Sequence, residues 1–191
     1  NYIKIYKHNK MYNFLADKIL VREYVKEKIG SKYLVPVLGI FNSASDIDFE
    51  KLPNEFILKT NHGSGWNLIC KEKKNIIKEK ITKKFNVWLS QDAFYLSREY
   101  QYKNVKTRLI CEKLLGDNIG DFKFFCFNGV PKFVQVDTGR FSDHKRMIYD
   151  MNWEKTKYRW GVYDLINYHV NKPINFDEMI GLASKLSHDI P

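Results

Sequence analysis

Apolar and polar positions change rhythm several times along the chain. From Tyr12 to Ile29, YNFLADKILVREYVKEKI, apolar residues recur at helical spacing, with Phe14, Leu15, Ile19, Val21 and Val25 near one side. Gly30 is a natural stop for that helix. Residues 33–41, YLVPVLGIF, read as a strand whose Pro36 suits a sheet edge. Ser45 to Asp48 start a turn or short helix, which Leu52-Pro53 closes. Phe56 to Lys59 is a short strand, and Asn67 to Cys70 reads as its hairpin partner. Residues 71–91 give a second helix, with Ile77, Ile81, Phe85 and Trp88 inward and the lysines on a solvated face.

Thr107 to Leu115 is a further strand running into a hinge-like segment. Asp121 to Asp137 alternates cleanly on either side of Asn128-Gly129, the pattern of a hairpin with a type I′ turn. Residues 138–172 are polar, aromatic and irregular, and Phe176 to His188 is an amphipathic helix. Helices alternating with hairpins predict an α+β chain of two lobes with a cleft between them.

Composition narrows this picture. Hydrophobic residues make up 44% of 191 residues, enough for a core, and 15% aromatics argue against disorder. Nothing resembles a membrane span or a secretory leader. Cys70, Cys111 and Cys126 lie in apolar runs without metal spacing, which suits buried thiols in a reducing cytoplasm. A net charge of +10 implies an anionic partner: nucleotide, acidic polysaccharide, nucleic acid or an anionic membrane surface.

The stretch FILKTNHGSGWNLIC carries the most chemistry. Lys59 ends an apolar strand and leads straight into His62-Gly63-Ser64-Gly65. A lysine there, with glycines that let backbone amides approach a ligand, suits phosphate. The same residues also suit a small-residue hairpin turn with a snorkelling lysine. Glu112 ends another apolar strand before Leu114 and Leu115, where it can meet an adenine edge or simply be solvated. Asp121 and Lys123 share a strand face and can serve ribose and phosphate or pair with each other. Arg140, His144, Lys145 and Arg146 concentrate charge in TGRFSDHKR, as either an anion site or a surface loop.

In order, ADKILVREYVKEKIG, FILKTNHGSGWNLIC, REYQYKNVKTRLICEKLLGD, DFKFFCFNGVPKFVQVDTGRF and HKRMIYDMNW resemble the ATP-grasp superfamily, in its TupA-like branch. The resemblance implies two α+β lobes with antiparallel sheets and flanking helices gripping ATP. On this reading residues 1–55 are an N-terminal helix and strand region, 56–106 one lobe, and 107–191 the second, incomplete at its C-terminus. The resemblance implies Lys59 on the α/β-phosphates and Gly63, Ser64 and Gly65 in a closing loop beside His62. It implies Glu112, with the backbone of Leu114 and Leu115, at adenine, and Asp121 at ribose. Lys123, Arg140 and Lys145 would serve phosphate and substrate charge.

The implied activity is ATP- and Mg²⁺-dependent carboxylate–amine ligation through an acylphosphate, in cytoplasmic steps of cell-surface polysaccharide biosynthesis, on an anionic glycan or other carboxylate. The metal-bearing strands of such enzymes would follow the helix near His188, so the chain is expected to be a fragment and its metal ligands are unknown. Two other readings stay open: a glycosyltransferase, although no DxD signature is present, and a non-catalytic basic module for RNA or acidic glycan.

Overall fold

The computed structural model describes residues 9–116, 120–139 and 143–190. The chain divides after Leu115 into two compact units. The first contains helices α1 (Lys10–Ala16), α2 (Val21–Ile29), α3 (Lys78–Leu89) and α4 (Ala93–Ser97), with strands β1 (Val37–Phe41), β2 (Phe56–Thr60), β3 (Asn67–Cys70) and β4 (Leu109–Lys113). These strands form an antiparallel sheet in the order β1-β4-β2-β3. Pro36 precedes an edge strand, as its missing N–H requires. The strand carrying Glu112, expected to open the second lobe, pairs with β1 and β2 on both of its sides and so sits inside the first sheet.

Alternation along β2 and β4 sends Phe56, Leu58, Leu109 and Cys111 to one face, where they meet Ile81 and Phe85 of α3. Short 3₁₀ turns at Ala44–Asp46 and Phe49–Lys51 add Ala44, Ile47, Phe49 and Leu52 to the same core. Ile77, expected inside, is exposed, because α3 begins only at Lys78 and Ile76 takes its packing position. Cys111 lies in this core, and burial, with smaller contributions from Glu112 and Cys70, pushes its thiol up to about 12. It is inert as a nucleophile.

The single helix expected over residues 12–29 is two helices. Asp17 breaks it: its Oδ1 accepts the amide N–H groups of Ile19 at 2.8 Å and Leu20 at 3.2 Å, offering the backbone an alternative to the helix. Its Oδ2 accepts Asn61 Nδ2 at 2.8 Å, from the loop after β2. That long-range bond holds Asp17 in the interior, so helical periodicity could not reveal the break.

The second unit holds β5 (Asp121–Phe127), β6 (Val130–Thr138), β7 (Lys145–Asp150), β8 (Asp164–Leu165) and helix α5 (Phe176–Ser187). Strands β5, β6 and β7 are antiparallel neighbours, and β8 lies parallel to β7. Asn128 and Gly129 adopt φ of 48° and 78°, the two left-handed residues of a type I′ turn. Val134, Val136, Met147, Tyr149 and Ile166 pack with Phe176 of α5. Residues 138–172 therefore contain two strands that hydropathy left unassigned. Met147, Ile148 and Tyr149 are all buried, so β7 has no solvent face to mark its period. Among the described residues no helix is long and apolar enough to cross a membrane.

Candidate functional site

The face of the first sheet turned away from its core carries Ile57 and Lys59 on β2 opposite Glu112 and Ile110 on β4. Lys59 Nζ donates to Glu112 Oε2 at 2.6 Å, and Arg22 Nη1 of α2 donates to Oε1 at 2.9 Å. Arg22 is anchored in turn through Nη2 on the Val35 carbonyl at 2.6 Å. Glu112 is buried, and two cations make that burial tolerable. Each carboxylate oxygen still has acceptor capacity beyond its cation.

The loop after β2 has a buried, hydrogen-bonded root and an exposed tip. Thr60, Asn61 and His62 are buried. Thr60 Oγ1 donates to the His62 carbonyl at 2.7 Å, Asn61 Nδ2 to the Lys106 carbonyl at 2.9 Å, and the Arg108 amide to Asn61 Oδ1 at 2.7 Å. Gly63 and Gly65 then take φ of 70° and 78°, conformations that favour glycine, while Ser64 and Gly65 are exposed. Exposed amides on such a turn suit phosphate oxygens.

His62, expected beside the phosphates, is buried. Its ring is buried with Nε2 3.0 Å from the Gln91 carbonyl and packs edge-on to Trp66, with centroids 5.0 Å apart. Burial, reinforced by Lys18, pushes its pKa down against the opposing Gln91 carbonyl, so the ring stays neutral near pH 7. Its Nδ1 is buried without a hydrogen-bond partner.

Sequence reasoning missed Lys18. It follows the helix break, and its Nζ donates to the Gly63 carbonyl at 2.8 Å. Burial and then the neighbouring Lys59 pull its pKa down, opposed by Asp17 and Glu112. A second ammonium group this close to Lys59 adds to the positive charge at the turn and suits a polyanion. Nothing in ADKILV marks this lysine apart from the surface lysines; only the fold brings it to Gly63.

Leu114 is half-buried and Leu115 exposed, both just past β4 at the end of the first unit. Arg140 lies outside the described residues.

In the second unit Asp121 and Lys123 form an ion pair, and Lys123 also reaches Asp137 Oδ2 at 2.9 Å. Asp137, which sequence reasoning did not single out, is the centre of this cluster. Arg146 grips it through Nε at 2.6 Å and Nη2 at 3.2 Å, Gln135 Nε2 donates at 2.7 Å, and His144 Nε2 lies 3.2 Å away. Burial alone would raise its pKa, but these partners, Arg146 foremost, hold the carboxyl well below the usual carboxylate range. Lys145 is directed otherwise: alternation puts it on the opposite face from Arg146, paired with Asp143 at 2.9 Å. The charged run His144-Lys145-Arg146 is thus divided between two faces.

The Mg²⁺ implied by the resemblance finds no cage among the described residues. No group of three or more His, Cys, Asp or Glu is placed to hold a metal there, and Glu112 and Asp137 are already neutralised by cations.

An antiparallel sheet ending in a strand lysine and a glycine turn, beside a buried glutamate on the next strand, has the make-up of an ATP-grasp unit. The TupA-like ATPgrasp family model matches residues 1–191, and the chain belongs to that family. No curated protein matches it.

Proposed function

We propose that the first unit binds ATP as the phosphoryl donor of a carboxylate–amine ligation. Lys59 contacts the α/β-phosphates, amides of Gly63, Ser64 and Gly65 cap phosphate oxygens, and Lys18 adds a second positive charge beside them. Glu112 accepts the adenine amino group, with the Leu114 and Leu115 backbone completing the edge. The observation that carries this reading is the Lys59–Glu112 pair, 2.6 Å apart at the root of a turn with two left-handed glycines. When phosphate draws Lys59 away, Arg22 still neutralises Glu112, so the exchange leaves no bare buried charge.

In the reaction, a substrate carboxylate oxygen attacks the γ-phosphorus and ADP leaves. The resulting acylphosphate is attacked at carbon by an amine, and inorganic phosphate departs. Positioning and charge neutralisation lower the barrier, and the ammonium groups of this chain supply part of both. We place this chemistry in the cytoplasm, in cell-surface polysaccharide biosynthesis with an anionic glycan or other carboxylate as substrate.

Thermal melting with ATP tests the reading. Ligand at 100 times its Kd stabilises by about 2.7 kcal/mol, a shift of several degrees. Lys59→Ala should abolish that shift relative to its own nucleotide-free melting point, whereas Lys59→Arg should keep most of it. Absence of any shift with millimolar ATP, or an undiminished shift in Lys59→Ala, would overturn the assignment.

A further inference from the structure

In the second unit the chain leaves β7 at Asp150 and runs back beside it. Lys155 bridges Tyr149, and the Thr156 amide donates to the Ile148 carbonyl at 2.9 Å. The chain rejoins the sheet as β8 at Asp164. Between those roots lie residues 157–163, KYRWGVY, with two cations, three aromatic rings and no carboxylate. The nearest carboxylates along the chain, Glu154 and Asp164, stand at the roots.

This loop is anchored to the sheet. Arg146, itself fixed by Asp137, donates through Nη1 to the Trp160 carbonyl at 3.0 Å, and its guanidinium lies 4.5 Å from the Tyr163 ring centroid. Gly161 permits that closure: its φ is 79°, and a Cβ there would lie 2.9 Å from Arg146 Nη1. Tyr158 packs edge-on to Phe133 with centroids 5.1 Å apart, and its amide donates to Thr156 Oγ1 at 3.3 Å. A loop already ordered loses little conformational entropy when it meets a partner.

What the loop exposes is largely apolar. Val162 is 97% exposed, Trp160 65% and Tyr158 51%, and Lys157 and Arg159 are exposed with them. Single exposed apolar residues are ordinary; three within five positions of an anchored loop make an aromatic and aliphatic rim presented to a partner. Tyr and Trp favour the boundary of a bilayer, where the ring body leaves water and its polar tip keeps it, and neighbouring cations are drawn to acidic headgroups. The loop's own charge and the chain's +10 both complement an anionic surface. Val162 separates lipid from nucleic acid. Bases stack on Tyr and Trp, but an aliphatic side chain gains nothing from a phosphate backbone and does gain at an acyl boundary.

We propose that residues 157–163 dock the second unit on an anionic lipid surface, with Trp160 and Val162 entering the acyl boundary and Lys157 and Arg159 at the headgroups. The two contributions act together, since shallow apolar insertion is marginal until electrostatic attraction is added. The surface uses no nucleotide contact, so vesicle binding and stabilisation by ATP succeed or fail independently.

Flotation of the full chain with vesicles of phosphatidylglycerol and phosphatidylcholine in equal parts, against vesicles of phosphatidylcholine alone, tests it. Affinity for the anionic vesicles should be at least about tenfold higher, and Lys157→Gln and Arg159→Gln should each lower it by about fivefold. Trp160→Ala and Val162→Asp should each lower it by about tenfold or more, with melting points unchanged because the side chains are exposed. Lipids brominated on their acyl chains should quench tryptophan emission, and most of that quenching should disappear in Trp160→Phe. No flotation, equal flotation with both vesicles, affinity unchanged in Trp160→Ala or Val162→Asp, or quenching that persists in Trp160→Phe would each overturn the proposal. Single-stranded RNA bound more tightly than the vesicles, weakened by Trp160→Ala but not by Val162→Asp, would overturn it in favour of a nucleic-acid surface.

Discussion

Gly63 and Gly65 differ in what surrounds them, and that difference is measurable. A Cβ on Gly63 would meet the Trp66 ring at 2.8 Å as well as suffer a left-handed φ, whereas beside Gly65 there is open space. Gly63→Ala should therefore cost about 2–3 kcal/mol in urea denaturation, and Gly65→Ala about 1 kcal/mol from backbone strain alone. Equal costs would mean that the Trp66 ring gives way. Lys59, the glycines and Glu112 were legible because residue type alone limits what a strand end or a tight turn can do. Lys18, Arg22 and Asp137 were not, since each acts through a partner 14 or more positions away along the chain, or through one reached only across a sheet. Lys18 meets Gly63 and Arg22 meets Glu112 only after folding.

At the level of elements, the break at Asp17 and the crosslinks of β5, β6 and β7 replace simple periodicity with specific polar contacts. Asp17→Ala frees the Ile19 and Leu20 amides and takes a partner from Asn61. Because an unsatisfied buried polar group costs about 1–3 kcal/mol, the variant should lose at least that much in chemical denaturation. Continuation of the helix through residue 17 with no loss of stability would show that the break is dispensable. The Asp137 cluster makes a pH prediction. Its folded pKa is depressed, so the stability it contributes is fully present above the ordinary carboxylate range and is lost as pH falls through and below that range. Asp137→Asn should lower the melting point near pH 7 and flatten the acid limb of a melting-point profile; an acid limb parallel to that of the unsubstituted protein would contradict the assignment. The Asn128-Gly129 hairpin and α5 were readable from alternation and amphipathicity, while β7 was hidden by burial of consecutive residues.

For the whole molecule, a charge of +10 guarantees some attraction to any polyanion, and salt separates that from a built site. Binding to an acidic polymer should fall steeply between low and high salt, in proportion to the cations engaged. Stabilisation by ATP should decline less and should vanish in Lys59→Ala at both salt concentrations. An ATP effect that tracks the polymer's salt dependence and ignores Lys59 would favour the basic binding module instead. By itself the sequence determined the α+β character, most helices and hairpins, the family, and the residue types suited to phosphate, because local periodicity, turn chemistry and ordered motifs are properties of neighbouring positions. Only the tertiary structure decided that Glu112 shares the sheet of Lys59, that Lys18 backs the glycine turn, and that Arg146 joins Asp137 beneath an aromatic rim. Such pairings bring distant charges out of water together, and the energy that selects them exists only once the chain has folded around them.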